Sequence, residues 1–221
     1  MKLYGFVLSP FVQRVLIAAR IKGHEIAVVP PPGGGLSSPA FAAISPTRRI
    51  PVLEEADGWR IGESAAIVAY LDETLPGPPL LPAEPRARAL ARQVAGLGDT
   101  DVGAGLRHLM VQNVFRSGSD KGQLDYGRAQ LALGLDALQR IGVGRWAWAA
   151  GQAPGIADAV LIPQLALAEL IERHFDGGKL IGDRPAIADY WRRARVSDIG
   201  ARCVAEMAAL VPIVMARRRS A

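Results

Sequence analysis

Between Thr74 and Pro85 the chain carries prolines at positions 76, 78, 79, 82 and 85. Proline gives no N–H to a helix or a ladder and pushes the residue before it out of the α region, so this segment forms neither helix nor central strand. It predicts a boundary, with residues 1–76 as one domain, 77–85 as a linker and 86–221 as a second domain. The 221 residues are enough to give each side a core.

The two sides differ in pattern. Residues 2–7 alternate like a strand, and Ser9-Pro10 opens a helix with Phe11, Val12, Val15, Leu16 and Ala19 near one face. Lys22-Gly23 closes that helix, and a strand at 25–29 completes a βαβ unit. A Pro-Gly loop at 30–35 and a short helix at 39–44 follow. Strands at 51–55 and 58–61, joined by Glu55-Ala56-Asp57-Gly58, then precede a helix at 63–74. Beyond the prolines the pattern is helical over 83–116, 120–141, 155–173, 185–196 and 197–209. Gly118, Gly142-Val143-Gly144 and Gly177-Gly178 separate these runs. The expectation is an α/β domain with a mixed sheet, followed by an all-α domain.

Composition excludes several classes. Half the residues are hydrophobic and 21% are charged, as in soluble globular proteins. No uncharged run approaches the roughly 18 residues of a membrane helix, and the opening residues lack a secretion signal, so no membrane is expected and the cytoplasm is the expected compartment. Cys203, the single cysteine, excludes an internal disulfide, and His24, His108 and His174 are too dispersed for a metal site. The net charge of +5 is a C-terminal property. No nucleic-acid motif accompanies Arg217-Arg218-Arg219, which reads as a solvated tail, so nucleic acid is not an expected partner.

Arg48-Arg49-Ile50-Pro51-Val52-Leu53 and Gly62-Glu63-Ser64-Ala65-Ala66-Ile67 stand out as a site. Pro51 belongs at the head of a strand or in a turn, and an X-Pro bond is the one kind found cis with any frequency. A cis bond there exposes the main chain of Ile50, to which an extended peptide can add. Glu63-Ser64 opens a helix whose unpaired N–H groups suit a carboxylate. Each motif alone also suits an ordinary strand or cap.

Together these words resemble the glutathione transferase family, and the likeness covers essentially the whole chain. It implies a thioredoxin-like first domain, βαβαββα with a cis-proline loop, and an all-α second domain. Glutathione is the implied co-substrate, with Ile50 and Pro51 meeting its cysteinyl unit, Glu63 and Ser64 its γ-glutamyl end, and Arg49 its glycyl carboxylate. Arg48 stands where relatives usually have a small residue. Ser9 is the implied thiolate donor, or else only a helix cap. Tyr4 is its rival, or else packs. The absence of cysteine from positions 9–12 argues against thiol-disulfide exchange.

The resemblance further implies a small hydrophobic electrophile between the halves, touched by Phe11, Leu106, Met110, Phe115 and Arg116 unless these are core. It implies a homodimer in which Asp99 and Asp101 reach a neighbour's ligand. Gly155-Ile156-Ala157-Asp158 resembles the family's helix-start motif, Asp158 being structural. The expected activity is conjugation of the glutathione thiolate. The glutathione-dependent isomerases of the zeta branch usually show Ser-Ser-Cys here, which Leu8-Ser9-Pro10 does not match. From another class, the alternative is a non-catalytic binding protein associated with transcription or translation.

Overall fold

The computed structural model describes residues 1–115, 120–175 and 178–219, except for the side chains of Phe115 and residues 217–219. The chain divides into two compact units, Met1–Leu80 and Leu81–Ala221.

The first unit is a four-stranded mixed sheet flanked by helices. Its elements are β1 (Lys2–Tyr4), α1 (Pro10–Ile21), β2 (Ala27–Val29), α2 (Pro39–Ala42), β3 (Val52–Glu54), β4 (Arg60–Gly62) and α3 (Ser64–Thr74). The sheet order is β2-β1-β3-β4, with β1 parallel to β2 and antiparallel to β3, and β4 antiparallel to β3. This is a thioredoxin-like arrangement. Leu3 and Leu53, paired across the two middle strands, are fully buried with Ile67 and Leu71 of α3. Helix α1 is buried from Val12 to Ala19, Gln13 and Arg14 included, so its solvent-averted surface is wider than one apolar stripe.

The proline segment is pinned to this unit. Lys22 Nζ donates to Asp72 Oδ1 at 3.0 Å and to the Pro78 carbonyl at 3.3 Å, while Asp72 Oδ1 also accepts from the Leu80 N–H. Gly77 sits at φ +114°, and a Cβ there would lie 2.3 Å from the Lys22 carbonyl oxygen, so only glycine fits.

The second unit comprises α4 (Pro85–Leu97), α5 (Gly103–Met110), α6 (Lys121–Arg140), α7 (Ile156–His174), α8 (Pro185–Ala194), α9 (Asp198–Ala208) and α10 (Val211–Arg219). Short π-helical turns at Gly98–Val102 and Val111–Phe115 flank α5 within the run expected as one helix. Helices α5 and α6 touch backbone to backbone: a Cβ on Gly105 would stand 2.5 Å from the Leu131 nitrogen and 2.6 Å from the Gly127 oxygen. Helix α7 is the axis of the unit, buried continuously from Ala157 to Ile171.

Helix α10 lies beyond the last helical run expected, which ended at residue 209, and carries the chain as helix to Arg219. Pro212 falls in the first turn of a helix, where its missing N–H would have no intrahelical partner anyway. The stretch Asp198–Ala216 has a mean hydropathy of 1.7 and by length and composition alone matches a membrane span. It is divided at residues 209–210 between α9 and α10 and carries the Arg202–Glu206 ion pair.

Candidate active site

One rung of the sheet organises the first unit. Val29, Tyr4, Val52 and Gly62 lie side by side across β2, β1, β3 and β4. The chain leaves β1 after Tyr4, enters β3 at Val52 and leaves β4 after Gly62. The loop to Ser9, the Ile50–Pro51 bond and the start of α3 therefore emerge from the same end of the sheet, where both α1 and α3 begin.

The Ile50–Pro51 peptide is cis. Pro51 is buried, and Ile50 packs on the cluster of Tyr4, Phe41 and Val52. Among the described residues the Ile50 N–H and C=O have no hydrogen-bond partner. The loop before it is held by Ser45, whose Oγ donates to the Arg49 carbonyl at 2.9 Å and accepts from the Arg49 N–H at 3.1 Å.

Among the described residues two other than glycine have positive φ, Arg48 at 53° and Glu63 at 60°. Such backbone is costly for a side-chain-bearing residue and gathers at functional sites. Glu63, exposed, occupies the N-cap position of α3 without a side-chain cap bond. The N–H groups of Ser64, Ala65 and Ala66 have no partner among the described residues, which leaves a set of donors and a partial positive charge at the helix start. Ser64 is only 7% exposed, and its Oγ accepts from Arg14 Nη1 at 3.4 Å.

Ser9 occupies the N-cap position of α1 with Pro10 after it, and its side chain makes no cap bond. The backbone satisfies the turn instead, with the Val12 and Gln13 N–H groups both donating to the Ser9 carbonyl. The half-buried Ser9 hydroxyl is thus not used as a cap. Tyr4 is placed differently. Its ring is buried, and its hydroxyl donates to Glu54 Oε2 at 3.0 Å. Glu54 also meets Lys2 Nζ at 2.8 Å and Arg60 Nε at 2.6 Å, and these bonds, that from Lys2 foremost, hold its carboxyl down at about 2. The Tyr4 phenol is a member of this ionic network.

Phe11 is half-buried at the start of α1. In the second unit Met110 is half-buried, but Leu106 is fully enclosed with Val102 and Leu109. Leu106 is therefore core and offers no surface to a ligand, because residues three and four apart share the inward stripe of a packed helix. The expectations for the Phe115 side chain and for Arg116 lie outside the described residues. Asp99 and Asp101 sit in the first π-helical turn, where Asp101 accepts from Thr100.

Asp158 is 1% exposed and accepts from the Gly155 N–H at 3.1 Å, the Ala149 N–H at 2.9 Å and the Tyr190 hydroxyl at 2.9 Å. Burial among neutral donors pushes its carboxyl up to about 6. It anchors α7 to the preceding loop and to α8. Among the described residues no group of three or more acids, histidines or cysteines is placed to hold a metal.

Sequence reasoning missed Arg14 and Gln13. Gln13 Nε2 donates to the Val7 carbonyl at 3.0 Å, fixing the loop that carries Ser9, and Arg14 ties α1 to Ser64 of α3. Two polar residues inside the apolar run of α1 were the available signal.

Residues 3–79 match the family model for the glutathione S-transferase N-terminal domain. The maleylacetoacetate isomerase of Pseudomonas aeruginosa is 36% identical over 175 residues, 76% of this chain and 82% of that protein. Glutathione S-transferase 1 of Dianthus caryophyllus is 35% identical over 75% of this chain and 76% of its own length. Among solved structures, a maleylacetoacetate isomerase from Methylobacterium extorquens AM1 with bound malonate and GSH superposes with a TM-score of 0.76 at 29% identity, covering 92% of this chain and 95% of its own. With this likeness on both sequence and fold, the chain belongs to the glutathione S-transferase family.

Proposed function

We propose that the protein binds glutathione at the end of its sheet and directs the thiolate at a small electrophile. The main chain of Ile50, beside Pro51, pairs with the cysteinyl unit. Ser64, with the N–H groups at the start of α3, receives the γ-glutamyl carboxylate, and Glu63 its ammonium. Arg49 faces the glycyl carboxylate, and Phe11 contacts the electrophile. Ser9 stabilises the thiolate. Only the thiolate is an effective nucleophile, and an ordinary thiol near pKa 8.5 is mostly protonated at neutral pH, so a hydroxyl and a helix N-terminus aimed at sulfur raise the reactive fraction. The reading also includes a homodimer, checked by light scattering.

One observation carries this assignment. At the start of α1 the Ser9 hydroxyl is left out of capping, whereas the rival Tyr4 phenol is bonded to Glu54.

A second reading has support from the isomerase relatives. When a thiolate adds to a conjugated cis double bond, that bond becomes single, rotates, and is restored as trans when the thiolate leaves. Conjugation and isomerisation therefore share their first step and differ in whether sulfur is expelled. The Leu8-Ser9-Pro10 sequence, in place of Ser-Ser-Cys, favours conjugation as the main activity. The assay compares turnover of 1-chloro-2,4-dinitrobenzene with that of maleylacetoacetate, both with glutathione. Faster conjugation supports the first reading, faster isomerisation the second, and failure of calorimetry to detect glutathione would sink both.

A further inference from the structure

Gln13 is fully buried on α1, within a run from Val12 to Ala19 that is buried throughout. Enclosing a carboxamide costs free energy unless it is hydrogen-bonded, and an apolar side chain would fill the same space without that cost. The Gln13 amide is put to use on the loop between β1 and α1. Its Nε2 donates to the Val7 carbonyl at 3.0 Å, while the Gln13 main-chain N–H donates to the Ser9 carbonyl at 3.0 Å. One residue thus holds two carbonyls of that loop, on either side of Leu8. Between them the turn is closed by the Ser9 N–H, which donates to the Phe6 carbonyl at 2.9 Å. Nearer β1, a Cβ on Gly5 would lie 2.5 Å from Val12 Cγ2, so the loop also seats on α1 by close contact. Backbone bonds at a helix start arise in any such turn, whereas the tie to Val7 depends on the Gln13 side chain.

We propose that Gln13 is a positioning residue for thiolate formation. By gripping the Val7 carbonyl it fixes the backbone that carries Ser9, and with it the aim of the Ser9 hydroxyl at the sulfur of bound glutathione. This rests on the role given to Ser9 above and adds a residue that acts only through it, since Gln13 is enclosed and meets neither the peptide nor the electrophile. Hydrogen bonds weaken steeply as they leave line, and a misplacement of about 1 Å can cost about a hundredfold in rate. A loosened loop therefore weakens thiolate stabilisation and leaves the groups that hold the peptide, Ile50 and Ser64, as they were.

Gln13→Met keeps an unbranched side chain of similar length and removes the donor. The test titrates the thiol of bound glutathione and measures kcat and KM for conjugation in wild type, Gln13→Met, Ser9→Ala and the double variant, each first shown to be folded by circular dichroism. Ser9→Ala should raise the bound-thiol pKa by about 1–2 units, the scale of a hydrogen bond to a charged group, and Gln13→Met by about half of that. Gln13→Met should lower kcat about tenfold and leave the KM for glutathione within about twofold of wild type. In the Ser9→Ala background the same change should add nothing, because two residues acting through one hydroxyl are not additive. If Gln13→Met leaves the thiol pKa unchanged, or raises it equally with and without the Ser9 hydroxyl, the positioning role is overturned while Ser9 stands. If Ser9→Ala itself leaves the pKa unchanged, the role of Ser9 and that of Gln13 fall together. Should Gln13→Met fail to fold, Gln13→Leu removes the same donor and is read in the same way.

Discussion

Two acids at helix starts show how differently the two units use polar groups. Asp158 near the start of α7 is enclosed and takes three hydrogen bonds, from Gly155, Ala149 and Tyr190. Glu63 at the start of α3 is exposed, sits at positive φ and makes no cap bond. Serines repeat the contrast. Ser197 and Ser38 cap α9 and α2, accepting from the Gly200 and Phe41 N–H groups. Ser9 has the same extended type of backbone, and its side chain caps nothing. Groups that complete the fold bond inward, and groups left over at a helix start are available to a ligand.

The largest effect expected from breaking this contrast is in the helical unit. Asp158→Ala strands two buried donors and one part-buried donor at roughly 1–3 kcal/mol each, so a loss of about 3–5 kcal/mol is expected in denaturant unfolding. A loss under about 1 kcal/mol would mean that Asp158 is not the anchor. Ser64→Ala should cost about 1 kcal/mol of stability through the lost bond from Arg14 and weaken glutathione binding about tenfold, the scale of a hydrogen bond to a charged group; unchanged affinity in calorimetry would remove Ser64 from the site. The serine pair gives a smaller and sharper comparison. Ser197→Ala should cost about 1 kcal/mol as a lost cap, whereas Ser9→Ala should cost almost none and lower turnover. Equal stability losses would make Ser9 a cap after all.

The pH response separates the units further. Glu54 is held near 2 by Lys2, Arg60 and Tyr4, so its contribution to stability is complete above its ordinary pKa and is lost as pH falls toward 2. Asp158, pushed up to about 6, acts with the opposite sign, favouring the fold most below its ordinary pKa and less as pH rises through 6. Stabilities of Glu54→Gln and wild type should therefore converge near pH 2, separate as pH rises toward about 4.5, and keep that full separation above it. Parallel curves would contradict the network.

Much of this was legible from local chemistry. Pro51 marked the cis bond and Glu63-Ser64 marked a helix start, because each depends on residues adjacent in sequence. What escaped depends on distant partners. The Tyr4 phenol is bonded to a residue 50 positions away, Arg14 reaches Ser64 over the same separation, and Tyr190 meets Asp158 across 32. Leu106 has the spacing of either pocket or core, and only its full enclosure decides. Helix α10 lay outside the helical runs expected, with Pro212 in its first turn.

The central claim is that Ser9, left out of capping, stabilises the glutathione thiolate. The most direct test follows the ultraviolet absorbance of the thiolate during pH titration of glutathione bound to wild type, Ser9→Ala and Tyr4→Phe. The account predicts a bound-thiol pKa well below the ordinary value of about 8.5 in wild type and Tyr4→Phe, returning toward it in Ser9→Ala. An unchanged pKa in Ser9→Ala, or a rise in Tyr4→Phe alone, would contradict it.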